Sequence, residues 1–193
     1  MITNTTQRFW GALISMFVLL RRDRRTRGWL IAPMILLLGG FFLPQQMTIP
    51  VKGASTDNWD IKSFWAYPWG TSITHKGIDI FEAKGTDVVS STHGVVVYTH
   101  EGGKGGKSVM ILGPKWRFHY YAHLDSYDAV AFQPVRRGTV IGKVGETGNA
   151  VGKPPHLHYA ITSPFPYFWN FDSESIQGWK KMFHLNPDTW LRQ

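Results

Sequence analysis

The sequence predicts a mainly β protein built from antiparallel strands. Short runs rich in β-branched and aromatic residues recur after residue 76, and glycine-rich turns separate them. The runs cover residues 88–100, 108–112, 116–124, 139–144 and 156–162. Strands and turns that alternate at such short intervals are typical of an antiparallel β-sheet or a sandwich-like arrangement of sheets. A helical pattern occurs briefly at 175–183, before Asn186-Pro187 interrupts it.

The N-terminal region differs from this β-rich part in charge and hydropathy. Five arginines lie within residues 21–27, and residues 28–44 are uncharged and mainly apolar. As a helix, this apolar run would be about 25 Å long, at the short end of what crosses a bilayer core of about 30 Å. Because the arginines precede the run, the positive-inside rule predicts a transmembrane helix over 28–44 with the N-terminus in the cytoplasm.

A shorter apolar stretch, residues 9–20, lies within the basic segment 1–27. It is expected to lie at the membrane interface or to pack against a neighbour, because about 18 Å of helix cannot cross a bilayer. A cleaved signal peptide is the alternative to an anchor, since a basic region followed by an apolar region describes both. No small-x-small cleavage site follows the apolar run at 42–47. We therefore predict an uncleaved signal anchor.

The composition limits the kinds of metal site, catalytic site and binding surface that the chain can form. The chain has 193 residues, a net charge of +8 and no cysteine. Without thiols, a metal site must use histidine, aspartate or glutamate, and disulfides and cysteine nucleophiles are excluded. Residues 1–50 carry six arginines and one acid, which leaves fifteen basic and twelve acidic residues in 51–193. This small excess of positive charge predicts no nucleic-acid interface in the β-rich part.

Histidines and one aspartate in three motifs supply the candidate chemistry. His156 and His158 lie two residues apart on a predicted strand, so they face the same way. His75 and Asp79 share a face whether the chain there is helical or extended. Together with one of the paired histidines they make a His2Asp zinc site with its fourth position open to water. His123 follows two tyrosines in a strand-like run and could reach the same cleft as a proton carrier or oxyanion donor.

The remaining histidines match none of these motifs. They are His93, His100, His119 and His184, and each is expected to be a surface or hydrogen-bonded core residue. His119 precedes His123 by four residues, so on a regular strand it would point to the same side. It could therefore also belong to the surroundings of the site.

The motifs together resemble those of the lysostaphin-like, or LytM-type, zinc endopeptidases, most of which cut the peptide part of bacterial peptidoglycan. The resemblance covers about residues 66–165. It rests on His75-Lys76-Gly77-Ile78-Asp79, on Tyr121-Ala122-His123-Leu124, on segments 138–142 and 145–148, and on Pro155-His156-Leu157-His158-Tyr159. The chain departs from the usual pattern at Lys153-Pro154-Pro155 and at Ala160, positions that affect the shape of the cleft rather than the metal chemistry.

Carried over position by position, the resemblance implies a groove-bearing β domain that binds one zinc ion through His75, Asp79 and His158. It also implies that His123 and His156 are the catalytic histidines, beside the zinc-activated water and the scissile carbonyl. Which of these two is the general base, and which stabilises the oxyanion, stays open.

Together with the predicted anchor, the resemblance implies a membrane-anchored zinc endopeptidase that hydrolyses the stem peptide or the cross-link of peptidoglycan. The expected location is the bacterial inner membrane, crossed once, with the catalytic domain in the periplasm or cell envelope. A regulatory envelope protein is a further expected partner. One alternative is a non-catalytic LytM-type scaffold that activates a cell-wall amidase, and another is a peptidase for an envelope protein or exported peptide. All five site positions are filled, which favours the enzyme.

The predicted order of segments follows from these observations. A basic segment (1–27) and the anchor (28–44) precede a lead-in (45–65), the zinc peptidase domain covers 66–165, and a C-terminal extension (166–193) is expected to pack on that domain.

Overall fold

A computed structural model describes residues 24–192, in two compact units that divide after Phe42. The predictions for residues 9–20 and for most of the basic segment 1–27 lie outside the described residues. The first unit contributes one described helix, and the second contains every described strand.

The helix of the first unit, α1, spans Arg24–Phe42 and contains Pro33. Most of its apolar side chains from Ile31 onward are exposed. The transmembrane span predicted over 28–44 is not supported, because no helix within residues 24–192 is long and apolar enough to cross a membrane. Arginines occupy the first turn of α1, which leaves about 15 apolar or uncharged residues, or roughly 22 Å, against a bilayer core of about 30 Å.

The second unit is formed by antiparallel strands in two sheets. The strands are β1 (Ile78–Phe81), β2 (Asp87–Val89), β3 (Gly94–His100), β4 (Lys107–Leu112), β5 (Phe118–Leu124), β6 (Ser126–Tyr127), β7 (Pro134–Val135), β8 (Val140–Lys143), β9 (His156–Thr162) and β10 (His184–Leu185), followed by a short helix, α2 (Asp188–Leu191). The larger sheet has the order β1-β9-β5-β4-β3-β7, and β10 also pairs with β9. The smaller sheet has the order β2-β8-β6. The mainly antiparallel β prediction is confirmed.

One hydrophobic core joins the two sheets. It contains Ile80 and Leu157 of the larger sheet together with Val88 and Ile141 of the smaller one, all essentially inaccessible to solvent. Burying an aliphatic side chain of this size stabilises a fold by about 2 kcal/mol. The core therefore fixes the strands from which the charged and polar groove residues project.

The lead-in segment and the chain end both pack on this core. Val51 and Trp59 of the lead-in are buried in it. The indole Nε1–H of Trp59 donates to Oδ1 of Asp188 at 2.7 Å, and Arg192 Nε donates to the same oxygen at 2.6 Å. Because Asp188 is itself buried, the bond from Trp59 holds α2 against the lead-in, and the bond from Arg192 further satisfies the carboxylate.

A chain of partly and fully buried hydrogen bonds crosses behind the larger sheet. Arg117 donates to Oε1 of Gln45, which fixes the orientation of the Gln45 amide. The amide Nε2 of Gln45 then donates to Nε2 of His119 at 3.0 Å. His119 uses its Nδ1–H to donate to the hydroxyl of Tyr159 at 2.7 Å. Full burial, and then the nearby charge of Arg117, lower the pKa of His119 to about 3, so its ring is neutral.

Candidate active site

Strands β1 and β9 bring the first two candidate ligands together. In β9, Leu157 and Tyr159 are fully buried, so the alternation of the strand turns His156 and His158 to the opposite face. Antiparallel pairing puts Asp79 of β1 directly opposite His158. Directly opposite residues have Cβ atoms about 5 Å apart, which is close enough for these side chains to meet.

His75 reaches the same point from the segment that precedes β1. Its N–H donates to the carbonyl of Ala66 at 3.0 Å, and its own carbonyl accepts from the N–H of Trp65 at 2.6 Å. The ring of Trp69 stacks on the imidazole, with the ring centroids 4.2 Å apart. Nδ1 of His75 lies 2.9 Å from the carbonyl oxygen of Ser63. Because a carbonyl only accepts, Nδ1 carries the proton and Nε2 has a free lone pair.

Three ligand atoms converge in front of β1 and β9. Nε2 of His75 lies 3.1 Å from Oδ1 of Asp79 and 3.1 Å from Nδ1 of His158, and the last two atoms are 2.9 Å apart. Although burial acts to raise the pKa of Asp79, the adjacent imidazoles of His158 and His75 lower it well below its usual value. The carboxylate is therefore ionised.

The protons available to these three groups fit a bound cation. An ionised carboxylate has no proton to give, and His75, whose Nδ1 proton is directed at Ser63, turns the lone pair of Nε2 toward it across 3.1 Å. Two acceptors at this distance repel each other unless a proton or a metal ion lies between them. Two imidazoles and one carboxylate are also a donor set of catalytic zinc sites, in which the fourth position stays open. The residues present therefore fit zinc.

A bulge in β5 turns His123 into the same groove. The pairing of β5 with β4 slips by one residue just before Leu124. His123 has a φ of 65°, in the left-handed region that a bulge residue often adopts. As a result Ala122 and His123 both line the groove, and Leu124 returns to the core.

The expectation that His119 lies on the same side as His123 is wrong. It assumed a regular strand, and the bulge reverses the alternation between the two residues. His119 is fully buried behind the sheet, where it contacts Gln45 and Tyr159 rather than the groove.

In both candidate catalytic histidines, Nδ1 is bonded to a backbone carbonyl, which leaves Nε2 free to accept a proton. Nδ1 of His123 lies 2.9 Å from the carbonyl oxygen of Thr147, and Nδ1 of His156 lies 2.7 Å from that of Pro154. Each Nδ1 therefore carries a proton, and each Nε2 can accept one. Burial, followed by the charges of His158 and His156, lowers the pKa of His123 to about 4. His123 is neutral at pH 7.

The structure thus brings together all five residues predicted for the site. The ring centroids of His123 and His156 are 5.1 Å apart, and those of His123 and His158 are 5.8 Å apart. Nε2 of His156 lies 4.0 Å from Oδ2 of Asp79. The division of these residues into zinc ligands and catalytic histidines stays a prediction.

Comparison with known proteins agrees with this arrangement. Residues 73–167, which hold all five site residues, match Peptidase family M23. This domain belongs to peptidase family M23. The predicted resemblance to lysostaphin-like and LytM-type peptidases is confirmed.

Two curated relatives have peptidase activities in their names. The "DD-carboxypeptidase/endopeptidase Mpg" of Neisseria meningitidis serogroup B is 42% identical over 85 residues, which is 44% of this chain and 19% of that protein. The "L-Ala--D-Glu endopeptidase" of Bacillus subtilis is 33% identical over 135 residues, which is 64% of this chain and 41% of that protein. The chain therefore spans about a fifth and about two fifths of the length of these two relatives.

A solved structure supports the same fold. The catalytic domain of lysostaphin from Staphylococcus simulans superposes with a TM-score of 0.55 at 25% sequence identity, over 68% of this chain and 90% of that domain. The M23 domain described above is therefore lysostaphin-like in its architecture.

The groove of the M23 domain has a volume of about 550 Å³, and loops on both sides of the site form its walls. Trp69, Phe81 and Tyr120 give it aromatic walls. The sequence motifs did not predict Tyr120 as a groove residue. Strand alternation could have identified it, because Tyr120 and Ala122 lie two residues apart before the bulge and therefore face the same side.

Three lysines also line the groove: Lys76, Lys104 and Lys153. Burial, followed by the charges of Lys180 and Lys104, lowers the pKa of Lys76. Lys104 and Lys180 therefore lie close enough to Lys76 to repel it. Sequence reasoning did not find this cluster, because loops distant in the chain bring its members together.

Gly77 allows the ligands to approach each other. A Cβ atom at this position would lie 2.5 Å from the carbonyl oxygen of Tyr159 and 2.9 Å from Cε1 of His158. Real Cβ atoms essentially never come so close to a backbone oxygen. The glycine in His75-Lys76-Gly77-Ile78-Asp79 is therefore required for the packing of the His158 ring.

Proposed function

We propose that the M23 domain is a zinc-dependent endopeptidase that hydrolyses peptide bonds in the peptide part of peptidoglycan, in a stem peptide or a cross-link. The proposal rests on one observation: three side chains that can bind a metal ion and two imidazoles with a free Nε2 lie in the same groove. The names of the Neisseria and Bacillus relatives support the choice of substrate.

His75, Asp79 and His158 would hold the zinc ion. When bound, zinc supplies a Lewis acid that lowers the pKa of water toward neutrality and polarises a carbonyl oxygen. The hydrogen bond from His75 to Ser63 and the stacking of Trp69 keep the His75 ring in place for this purpose.

His123 and His156 would move the protons of the reaction. Their hydrogen bonds to backbone carbonyls fix the tautomer in which Nε2 faces the groove. A neutral ring in this position accepts a proton from the attacking water and returns it to the leaving amine. A ring that holds the proton on Nε2 donates a hydrogen bond to the developing oxyanion. The two histidines can share these roles, and the division between them stays open.

The complete set of site residues supports an enzyme over the non-catalytic scaffold. A scaffold that only binds an amidase needs neither a converging donor set nor two oriented imidazoles. Because peptidoglycan lies outside the cytoplasmic membrane, we also propose that the domain acts in the periplasm or cell envelope.

The full chain, loaded with zinc and mixed with purified cell-wall sacculi, tests the proposal. Released fragments are identified by mass spectrometry, with and without a chelator. We expect soluble peptides whose new ends define one type of bond, release that stops with chelator, and release that returns when zinc is added back. Failure of the zinc-loaded chain to release any fragment would contradict the proposal and favour the scaffold or a protein-directed peptidase.

A further inference from the structure

The groove contains an excess of positive charge that the predicted zinc chemistry does not use. Among the described residues that line it, Asp79 is the one acid, and it belongs to the donor set. Lys76, Lys104 and Lys153 line the same groove, and we call them the groove lysines. A bound zinc ion would make this region more positive still.

The groove lysines have no acidic partner in the described part of the chain. The ammonium group of Lys76 donates to the carbonyl oxygens of Ser72 and Thr74 at 2.9 and 3.2 Å and to the Thr74 hydroxyl at 3.1 Å. The ammonium group of Lys104 lies 3.4 Å from the carbonyl oxygen of Thr71. By contrast, Lys84, Lys143 and Lys181, which lie outside the groove, each pair with a carboxylate.

The position of these charges favours an anionic ligand. Lys76 follows the candidate ligand His75 directly in the chain, and Lys153 precedes the candidate catalytic His156 by three residues. The carbonyl of Lys104 accepts from Asn149, which joins its loop to the loop that carries Lys153. Charges that surround a recess with aromatic walls attract opposite charge more strongly than the same charges on an open surface.

We propose that the groove lysines select peptides that carry a free carboxylate next to the bond that is cut. This inference rests on the proposed endopeptidase function and adds the chemical class of its substrate: an acidic peptide rather than a neutral or amidated one. The carboxylate could belong to a side chain or to the C-terminus of the peptide, and both would meet the same ammonium groups.

Matched peptides test the proposal with the zinc-loaded full chain. One peptide has all its carboxylates free, a second has the side-chain carboxylates converted to amides, and a third has an amidated C-terminus. We expect kcat/KM to fall about tenfold for one amidated peptide, as for loss of a hydrogen bond to a charged group. The peptide that loses activity identifies the carboxylate. We also expect added salt to slow cleavage of the free-carboxylate peptide more than that of its amide.

Lysine variants connect this preference to the groove. The double variant Lys104→Gln and Lys153→Gln should cut the acidic peptide no faster than the amide, whereas replacement of both residues by arginine should retain the preference. Lys76 is left unchanged, because its ammonium group is already occupied by hydrogen bonds to Ser72 and Thr74, so Lys104 and Lys153 are the groove lysines expected to contact the carboxylate directly. Lys62→Gln, an exposed change outside the groove, is the matched control and should behave as the unaltered chain.

The outcomes separate this inference from the proposed function. Equal cleavage of free and amidated peptides, or a preference that survives the double glutamine variant, would overturn the inference and leave the endopeptidase intact. If the unaltered chain cuts none of the peptides, the proposed function fails, and binding of the same peptides still decides the inference. Binding about tenfold tighter for the acidic form, lost in the glutamine variant, would support it, and equal binding would refute it.

Discussion

His123 has surroundings that suit a proton carrier. Its Nδ1 is held by the Thr147 carbonyl, and its Nε2 faces the groove without a proton. It is not part of the group of ligand atoms, in His75, Asp79 and His158, that lie within 4.8 Å of one another. The residue can therefore be removed without removal of a candidate metal ligand.

The first prediction concerns this residue. His123→Gln should lower turnover of the cell-wall peptide by about 10²- to 10⁴-fold, because a positioned general acid or base contributes about that much. Zinc content, measured by atomic emission on the purified chain, should not change. His100→Gln, at an exposed histidine outside the groove, is the control. Normal turnover in the His123 variant would exclude it from the chemistry.

The second prediction concerns Asp79, whose carboxylate contacts both candidate imidazole ligands. Zinc at about a hundred times its dissociation constant should stabilise the unaltered chain by about 2.7 kcal/mol, seen as a rise in Tm. Asp79→Asn should abolish this rise, because the site loses its negative charge. Asp128→Asn, an exposed carboxylate, should retain it. A zinc-dependent rise in the Asp79 variant would refute the predicted donor set.

The sequence was sufficient to predict the five site residues, but it was not sufficient to predict which other residues surround them. The motifs around His75 and His158 are local, and strand alternation alone orients them. His119 and His123 face opposite sides because His123 itself has a left-handed backbone conformation inside the strand. No pattern of residues in this part of the sequence predicts that conformation. The groove lysines come together through loop contacts, such as that between Lys104 and Asn149, which depend on the complete fold.

Among the elements, β1 shows how one glycine supports the site. The segment enters the strand through Gly77, and the ring of His158 occupies the space that a side chain there would need. Strand pairing between β1 and β9 and the approach of the candidate ligands therefore depend on the same missing Cβ.

The third prediction follows from this contact. Gly77→Ala should weaken zinc binding, measured by competition with a chelator, because the new methyl group would displace the His158 ring. Overpacking of this kind should also lower the free energy of unfolding by about 1–3 kcal/mol, measured by denaturant titration. Gly39→Ala is the matched control, since the added Cβ meets nothing within 4 Å apart from its chain neighbours and the backbone of its own helix. Unchanged zinc affinity at Gly77→Ala would show that the ring can move without loss of the site.

Most strands could be predicted from residue pattern, and the exceptions have physical reasons. The single run predicted at 88–100 is divided between β2 and β3, which belong to different sheets. The division falls where Ser90 and Ser91 are buried, and their hydroxyls donate to the carbonyls of Thr92 and Thr48. These hydroxyls supply hydrogen bonds to backbone carbonyls in a buried turn. The sequence pattern does not distinguish this turn from a continuation of the strand.

At the scale of the whole molecule, the buried hydrogen-bond chain links stability to pH. Burial lowers the pKa of His119 to about 3, against about 6.5 in an unfolded chain. Between these values the unfolded state binds a proton that the folded state does not. Stability therefore rises with pH across this window and is lost as the pH falls. His184, whose pKa burial lowers to about 4, adds a change of the same sign.

The fourth prediction tests this linkage. From pH 7 to pH 5, protonation of the unfolded His119 should reduce the free energy of unfolding by about 2 kcal/mol. His119→Gln should remove that share of the pH dependence, although the variant will be less stable at pH 7 because the contact with Tyr159 changes. His100→Gln should leave the slope as it was. Denaturant titrations at several pH values provide the measurement, and an identical slope in the His119 variant would contradict it.

The bulge in β5 also determines whether His123 can face the groove at all. As far as Ala122, β5 pairs regularly with β9, and Ala122 lies opposite His158. On a regular strand the next residue would turn to the other face, where His119 and Tyr121 are buried. The slip against β4 before Leu124 and the left-handed φ of His123 reverse this turn. One extra residue in a strand therefore decides whether an imidazole stands beside the candidate donor set or is buried away from it.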